Sequence, residues 1–67
     1  MEFKIEGPFI KLGQLLKAAR MADMGSDAKA IIQGGEVRVN GETETRRGRK
    51  LVPGDVVTYG GKTVELK

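Results

Sequence analysis

The sequence contains no cysteine and no histidine. Without cysteine the chain forms no disulfide and no thiolate metal site, and without histidine it lacks the commonest general base and metal ligand. Its 67 residues suffice for a single domain, 1–67, and such a small chain buries only about 60% of its unfolded surface. Only Phe3, Phe9 and Tyr59 are aromatic, so we expect a core of aliphatic side chains.

Long apolar runs are also absent. The apolar stretches span only a few residues, far short of the roughly 20 that a membrane-spanning helix needs. The N-terminus alternates charged and apolar residues, which is unlike a signal peptide. We therefore expect a soluble, cytoplasmic protein that has no contact with a membrane.

No set of residues typical of catalysis is present. Ser26 has no histidine partner, and the chain lacks a phosphate-binding P-loop and a dinucleotide-binding glycine fingerprint. The acidic residues are scattered singly, and nothing in their spacing specifies a close pair for hydrolysis or a divalent ion. We predict that the protein is not an enzyme and uses neither a metal nor a cofactor.

The positive charge is concentrated in one short segment. The net charge is only +3, yet four cations lie within Arg46–Lys50, with no acidic residue among them. Clustered arginine and lysine neutralise phosphates, and arginine grips them with two hydrogen bonds. The alternative is a solvated loop whose cations pair with Glu42 and Glu44. Taken alone, the run fits both interpretations, although three arginines to one lysine favour recognition modestly.

Hydrophobic periodicity predicts two helices. Four apolar residues follow the i, i+3, i+4, i+7 spacing of an amphipathic helix, namely Leu12, Leu15, Leu16 and Ala19. This helix should end near Arg20 or Met21. After a turn over residues 23–25, Ser26 is predicted to be the N-cap of a second, short helix. Gly34-Gly35 should end that helix, because glycine tolerates the left-handed conformation of a C-cap.

The remaining segments read as strands. Alternating or β-branched residues predict strands at 3–6, 37–39, 42–45, 56–59 and 63–66. Asn40-Gly41 and Gly60-Gly61 are signals for tight hairpin turns, and Pro53-Gly54-Asp55 is a further turn. The element order is therefore β-α-α-β-β-β-β. We predict an α+β fold in which two short helices pack on a small twisted antiparallel sheet.

The first helix carries a polar flank and an unusual glycine. Lys11, Gln14 and Lys17 follow one another at i, i+3 and i+6, and Lys29 lies on the exposed side of the second helix. These side chains either border a polar groove between the helices or form an ordinary solvated face. Gly13 costs about 1 kcal/mol relative to alanine within a helix. It either admits another backbone or a ligand phosphate, or is a tolerated defect.

Two segments resemble a known family. The segment from Ile31 to Gly41 (IIQGGEVRVNG) and the segment from Leu51 to Val57 (LVPGDVV) resemble the S4 RNA-binding domain, also called the α-L motif. The resemblance covers about residues 10–60. Residues 12–17 (LGQLLK) and 44–51 (ETRRGRKL) are similar to those of stand-alone small bacterial proteins of the YaaA/YbcJ type.

The resemblance implies a function and a binding face. It implies a monomer that binds structured ribosomal or transfer RNA, in translation or ribosome assembly, through the starts of both helices and the adjacent sheet loops. The residues at those places are Lys11, Gln14, Lys17, Ser26, Lys29, Arg38, Arg46, Arg47, Arg49 and Lys50. Asp27 stands where many members of the family have arginine, so the basic run should carry more of the binding in this chain.

Two further expectations concern what the basic face recognises. Because aromatic residues are scarce, we expect recognition of RNA shape and phosphates, and not the reading of single-stranded bases. Tyr59 is expected in the core. The alternative function is that of a protein-interaction adaptor whose basic face meets an acidic partner.

Overall fold

The computed structural model describes the backbone of residues 1–21 and 25–67, and the side chains of residues 1–21 and 28–67. The elements are β1 (Glu2–Phe3), β2 (Ile10–Lys11), α1 (Leu12–Ala18), α2 (Gly25–Gln33), β3 (Arg38–Val39), β4 (Glu42–Thr43), β5 (Lys50–Leu51), β6 (Val56–Tyr59) and β7 (Lys62–Leu66). Two helices with a small sheet confirm the predicted α+β class. Within the described ranges, no helix is long and apolar enough to cross a membrane.

Helix α1 forms on the predicted apolar stripe. Leu12, Leu15 and Leu16 are completely buried. The helix ends at Ala18, about two residues before the predicted end. Arg20 adopts a left-handed backbone conformation with φ of 58°, which stops helix propagation there.

Helix α2 begins two residues earlier than predicted, because an N-cap at Ser26 would place its first helical residue at Asp27. It starts at Gly25, so Ser26 lies in the first turn and is not the N-cap. Such shifts arise because the first N–H groups of a helix have no intrahelical partner, so its start is only loosely determined. The rest of the predicted turn, residues 23–24, lies outside the described residues. Ala28 and Ile32 bury the inner face of the helix.

The C-terminus of α2 is closed by a glycine cap, as predicted. Gly35 has a φ of +77°. Its N–H donates to the Ile32 carbonyl at 3.1 Å, and the N–H of Glu36 donates to the Ile31 carbonyl at 3.3 Å. This pair of bonds is the Schellman arrangement, which gives partners to carbonyls that the helix itself leaves unpaired.

The main sheet has five strands in the order β1-β7-β6-β3-β4. Strands β7, β6, β3 and β4 are antiparallel, as predicted, with Tyr59 opposite Lys62 and Val39 opposite Glu42 at the two hairpins. Strand β1 instead pairs parallel to β7, so the complete sheet is mixed. A parallel neighbour needs a long connection, and here everything between β1 and β7 provides it.

A second, two-stranded sheet was absent from the prediction. Strands β2 and β5 pair antiparallel, with Ile10 opposite Leu51 and Lys11 opposite Lys50. Each strand has only two residues, too few for a hydrophobic period to be recognised in the sequence. This small sheet leads directly into α1 and holds the end of the basic segment beside it.

The core is aliphatic, as the composition predicts. The largest fully buried side chains are leucine, isoleucine and valine from both helices, the main sheet, strand β5 and the residue before β3. Tyr59 is half-buried and packs against this cluster, which confirms its expected place. The sheet and the two helices thus enclose one apolar cluster and leave the outer flank of α1 exposed.

Candidate nucleic-acid interface

The segment 46–50, here called the basic loop, is fixed to the start of α1 by backbone contacts. The N–H of Leu12 donates to the Arg49 carbonyl at 2.9 Å, and the N–H of Gly13 donates to the Arg47 carbonyl at 3.0 Å. The first N–H groups of a helix have no partner within the helix. The basic loop supplies partners for two of them and is thereby held at a fixed place.

Gly13 leaves room for the side chain of Arg47 beside the start of the helix. A Cβ atom at position 13 would lie 2.7 Å from Cγ of Arg47 and 3.6 Å from its carbonyl oxygen. The first distance is shorter than real Cβ contacts. The crowded contact is thus with the Arg47 side chain, while its carbonyl oxygen would lie at ordinary contact distance. Of the alternatives left open by the sequence, close approach of another backbone is the one that the structure shows, through the hydrogen bond from Gly13 to Arg47.

A groove of about 370 Å³ lies between the start of α1, α2 and the basic loop. We call it the phosphate groove, after the role proposed for it below. It is lined by Lys11, Gly13, Gln14, Lys17, Ala28, Arg47 and Gly48. The polar flank of α1 thus borders a groove, and Arg47 of the basic loop faces that flank. Among the residues whose side chains the structure describes, the lining contains three cations and no acidic residue, so these side chains contribute a positive potential.

Gln14 has a structural role in this groove. Its Oε1 accepts a hydrogen bond from the backbone N–H of Lys11 at 3.3 Å. This bond corresponds to the returning half of a capping box, without the other half, because the Lys11 side chain has no acceptor. It fixes the Gln14 side chain at the helix start. The amide nitrogen of Gln14 is then the part of the side chain suited to donate to a ligand.

Glu44 holds the basic loop from inside. Its side chain is only 8% exposed. The carboxylate accepts bonds from the backbone N–H and Nε of Arg46, both at 3.1 Å, and from Nη1 of Arg49 at 2.9 Å. The sequence left open whether the cations of the basic loop bind RNA or pair with Glu42 and Glu44. Arg46 and Arg49 form ion pairs with Glu44.

The ion pairs keep Glu44 charged. Hydrogen bonds from Arg46, and next those from Arg49, lower the pKa of this carboxyl from 4.5 to about 2, against the opposing effect of burial. A carboxylate that accepts several charge-assisted bonds favours its ionised form. The cluster of two arginines and one glutamate therefore keeps a net charge of +1.

The four cations of the basic loop thus have different surroundings. Arg46 and Arg49 bind Glu44, whereas Arg47 lines the phosphate groove. Nζ of Lys50 lies 4.8 Å from the centroid of the Phe9 ring, a cation–π contact. The sequence shows one uniform basic run, but the fold leaves Arg47 as the member that faces the polar flank of α1.

Comparison with known proteins identifies the family. The S4 domain family matches residues 3–67, nearly the whole chain. The chain belongs to the S4 domain family. The S4 domain is a binding fold and not an enzymatic one, which confirms the prediction that the protein is not an enzyme.

Individual relatives agree with this assignment. YbcJ of Escherichia coli (strain K12) is 37% identical over 59 residues, which cover 88% of this chain and 84% of YbcJ. RlbA of Bacillus subtilis (strain 168), named "Probable ribosome maturation protein RlbA", is 47% identical over 57 residues, or 85% of this chain and 80% of RlbA. The solution structure of Escherichia coli YbcJ, described as having an α-L motif involved in RNA binding, matches with a TM-score of 0.74. It is 35% identical, and the match covers 97% of this chain and 84% of that one.

Two other predicted contact residues of this S4 domain, Lys29 and Arg38, lie outside the described lining of the phosphate groove. Lys29 is exposed on α2, next in sequence to Ala28 of the groove wall. Arg38 is exposed on β3, opposite Thr43 and Thr58 of the neighbouring strands. The side chain of Ser26 is outside the described residues.

The motif that carries the S4 resemblance is a structural clamp. Nδ2 of Asn40 donates to Oδ1 of Asp55 at 3.0 Å, and Oδ1 of Asn40 accepts from the N–H of Val56 at 2.9 Å. Oδ2 of Asp55 accepts from the N–H of Val52 at 2.9 Å. That backbone bond, followed by the one from Asn40, lowers the pKa of Asp55. The Val-Asn-Gly and Gly-Asp signatures therefore join two turns of the sheet to each other.

Proposed function

We propose that this S4 domain binds structured RNA by holding backbone phosphates in the phosphate groove. The observation that carries the proposal is the convergence of Lys11, Lys17 and Arg47 on one groove, where the described lining side chains include no acid. Cations placed this way neutralise phosphates and release condensed counterions. Arg47 adds the planar guanidinium that binds phosphate with two hydrogen bonds.

The fixed position of the basic loop supports recognition of shape. Arg47 is carried by a backbone that is bonded to α1, so its starting position varies little before binding. A preformed set of cations matches one spacing of phosphates and loses less conformational freedom on binding. Folded RNA offers such fixed phosphate spacings, and proteins recognise double-stranded RNA mostly by shape and phosphates.

The proposed contact surface extends beyond the groove. Besides Gln14 in the groove lining, it includes the other predicted residues, which are Ser26, Lys29, Arg38, Arg46, Arg49 and Lys50. Among the basic residues we assign the largest effect to those that line the groove. Arg46 and Arg49 contribute less because Glu44 already neutralises part of their charge.

We further propose that the RNA is ribosomal or transfer RNA and that the protein acts in translation or ribosome assembly. The support comes from the relatives: YbcJ is described as having a motif involved in RNA binding, and RlbA has ribosome maturation in its name. Crosslinking in cells, followed by sequencing of the bound RNA, tests this. Enrichment of messenger RNA alone, without ribosomal or transfer RNA, would contradict it.

Charge-removing variants test the groove itself. Arg47→Gln and Lys17→Gln should each weaken binding to an RNA hairpin and lower the salt dependence of log K by about one unit of slope. Lys62→Gln removes an equal charge from an exposed position of β7 outside the groove lining and is the matched control.

Arg46 and Arg49 are unsuitable for charge reversal, because a new acid would lie beside buried Glu44. Fluorescence anisotropy across a salt series measures all three variants.

The same assay separates RNA binding from the adaptor function. The wild type is titrated with an RNA hairpin, a matched DNA duplex and an acidic protein, all at physiological salt. A preference for RNA that is lost in Arg47→Gln supports the proposal. Equal affinity for the acidic protein and for RNA, or an Arg47→Gln variant that binds RNA like the wild type, would refute it.

A further inference from the structure

A second groove, of about 870 Å³, lies on the other side of the polar flank of α1. We call it the aromatic groove. It is lined by Phe3, Lys4, Glu6, Phe9, Ile10, Gln14, Lys17 and Ala18. Gln14 and Lys17 line the phosphate groove as well. The two grooves therefore adjoin along one ridge of α1, and a ligand can occupy both without leaving the surface.

The aromatic groove has a different composition from the phosphate groove. Two of the three aromatic residues of the chain, Phe3 and Phe9, line it, and both remain partly exposed. Lys4 and Lys17 supply two cations against the single acid Glu6. Half-exposed aromatic rings beside cations are the composition with which proteins hold unpaired nucleotides, because the base stacks on the ring and the phosphate meets the cation.

Phe9 is the unusual member of this set. Among the described residues, the half-buried apolar side chains that pack against the core include Phe3 and Ile10, but not Phe9. The packing of the core therefore does not account for an aromatic ring at this position. The ring has a lysine cation near it, Lys50, which belongs to the basic loop. Phe9 thus connects the aromatic groove to the RNA-binding surface.

We infer that the aromatic groove accepts one unpaired nucleotide of the bound RNA, with its base stacked on Phe9 and an adjoining phosphate at Lys17. This inference rests on the proposed function, since Lys17 belongs to both grooves. It also revises an expectation from the sequence. Scarce aromatics argued against contact with unpaired bases, but the fold gathers two of the three in one groove beside the phosphate-binding flank. The preferred ligand is then a helix with a bulge or a loop, and not a continuous duplex.

Variants at Phe9 test the inference against two RNAs that differ only in one unpaired nucleotide. Phe9→Leu keeps an apolar side chain but removes the aromatic face, and Phe9→Trp keeps the face. Phe9→Leu should weaken binding to the bulged RNA about tenfold, within the range for loss of one base–aromatic stack, and leave binding to the continuous duplex unchanged. Phe9→Trp should bind the bulged RNA at least as well as the wild type. A 2-aminopurine at the bulge should be quenched by the wild type and not by Phe9→Leu.

The outcomes are distinguishable from failure of the proposed function. If Phe9→Leu binds both RNAs like the wild type, or weakens both equally, the stacking site is refuted while phosphate binding stands. If Arg47→Gln, measured in parallel, weakens neither RNA, the proposed function fails. Thermal melting by circular dichroism checks the fold of each variant. If Phe9→Leu melts at a lower temperature than the wild type, the test uses Phe9→Trp instead. Quenching of the 2-aminopurine by Phe9→Trp supports stacking, and no quenching refutes it.

Discussion

The backbone amide of Gly13 donates a hydrogen bond to the carbonyl oxygen of Arg47 across 3.0 Å. This bond connects the first turn of α1 to the middle of the basic loop. It also sets the position from which the Arg47 side chain enters the phosphate groove. A change at residue 13 is therefore expected to act on RNA binding through Arg47, although residue 13 itself has no charge.

Gly13→Ala should lower RNA affinity severalfold with little effect on stability. The new methyl group would lie 2.7 Å from Cγ of Arg47, so that side chain has to move. The gain in helix propensity, about 1 kcal/mol, offsets much of the steric cost. The control is Gly13→Ala in an Arg47→Gln background, where it should have no further effect on RNA affinity. Urea unfolding and anisotropy measure both quantities, and unchanged RNA affinity in Gly13→Ala would show that this contact does not position Arg47.

Glu44→Gln should destabilise the fold by about 1–2 kcal/mol. The neutral amide loses charge-assisted bonds to Arg46 and Arg49, which are individually stronger than neutral ones, although solvent around Arg46 screens part of the effect. In a domain of this size the loss corresponds to a decrease in Tm of roughly 5–10 °C. Glu42→Gln, at an exposed position of β4, is the control. Equal Tm values for the two variants would contradict a clamping role for Glu44.

The same carboxylate predicts how stability depends on pH. The pKa of Glu44 is about 2 in the folded protein, below its ordinary 4.5, so the unfolded chain binds the proton more tightly. The contribution of ionised Glu44 to the free energy of unfolding is complete above pH 4.5 and is lost as the pH falls towards 2. Asp55, whose pKa is also lowered, adds a dependence of the same sign. Urea unfolding across this range should give a shallower decline for Glu44→Gln than for wild type, and parallel curves would refute the assignment.

Asn40 combines a side-chain clamp with a strained backbone, and two variants separate the contributions. Its φ is 53°, a conformation that costs a non-glycine residue roughly 1 kcal/mol or more. Asn40→Gly loses the bonds to Asp55 and Val56 but relieves the backbone strain at this φ, whereas Asn40→Ala loses the same bonds and keeps the strain. We expect Asn40→Ala to be less stable than Asn40→Gly by about 1 kcal/mol. The order of their urea midpoints checks this, and the reverse order would show that the turn itself is not strained.

The sequence was sufficient for the parts of the fold that have a period or a turn signature. The stripe of Leu12, Leu15 and Leu16 predicts α1, and Asn40-Gly41 and Gly60-Gly61 predict the two hairpins, all of which the structure shows. The parallel pairing of β1 with β7 has no such signature. It depends on how the rest of the domain brings its two terminal strands together, and no local sequence pattern encodes this.

The sequence predicts which residues belong to the candidate site but not how their side chains contact one another. The spacing of Lys11, Gln14 and Lys17 places them on one flank of α1, and the structure shows two grooves along that flank. The division of the basic run between Glu44 and the groove depends on side-chain packing. One local signal was available, since an acid two residues before an arginine can bond to its backbone and side chain together, as Glu44 does with Arg46.

The basic loop is attached to α1 by carbonyl oxygens, which every amino acid has. The bonds from Leu12 and Gly13 end on the backbone of Arg49 and Arg47, so they survive replacement of the side chain at position 47. The backbone of the basic loop can therefore keep its position against α1 while the side chain at position 47 changes. A library randomised at positions 47 and 50, with Gly13 and Glu44 retained, should yield folded domains that prefer different ligands. In this protein, the surface that selects the ligand can evolve separately from the surface that maintains the fold.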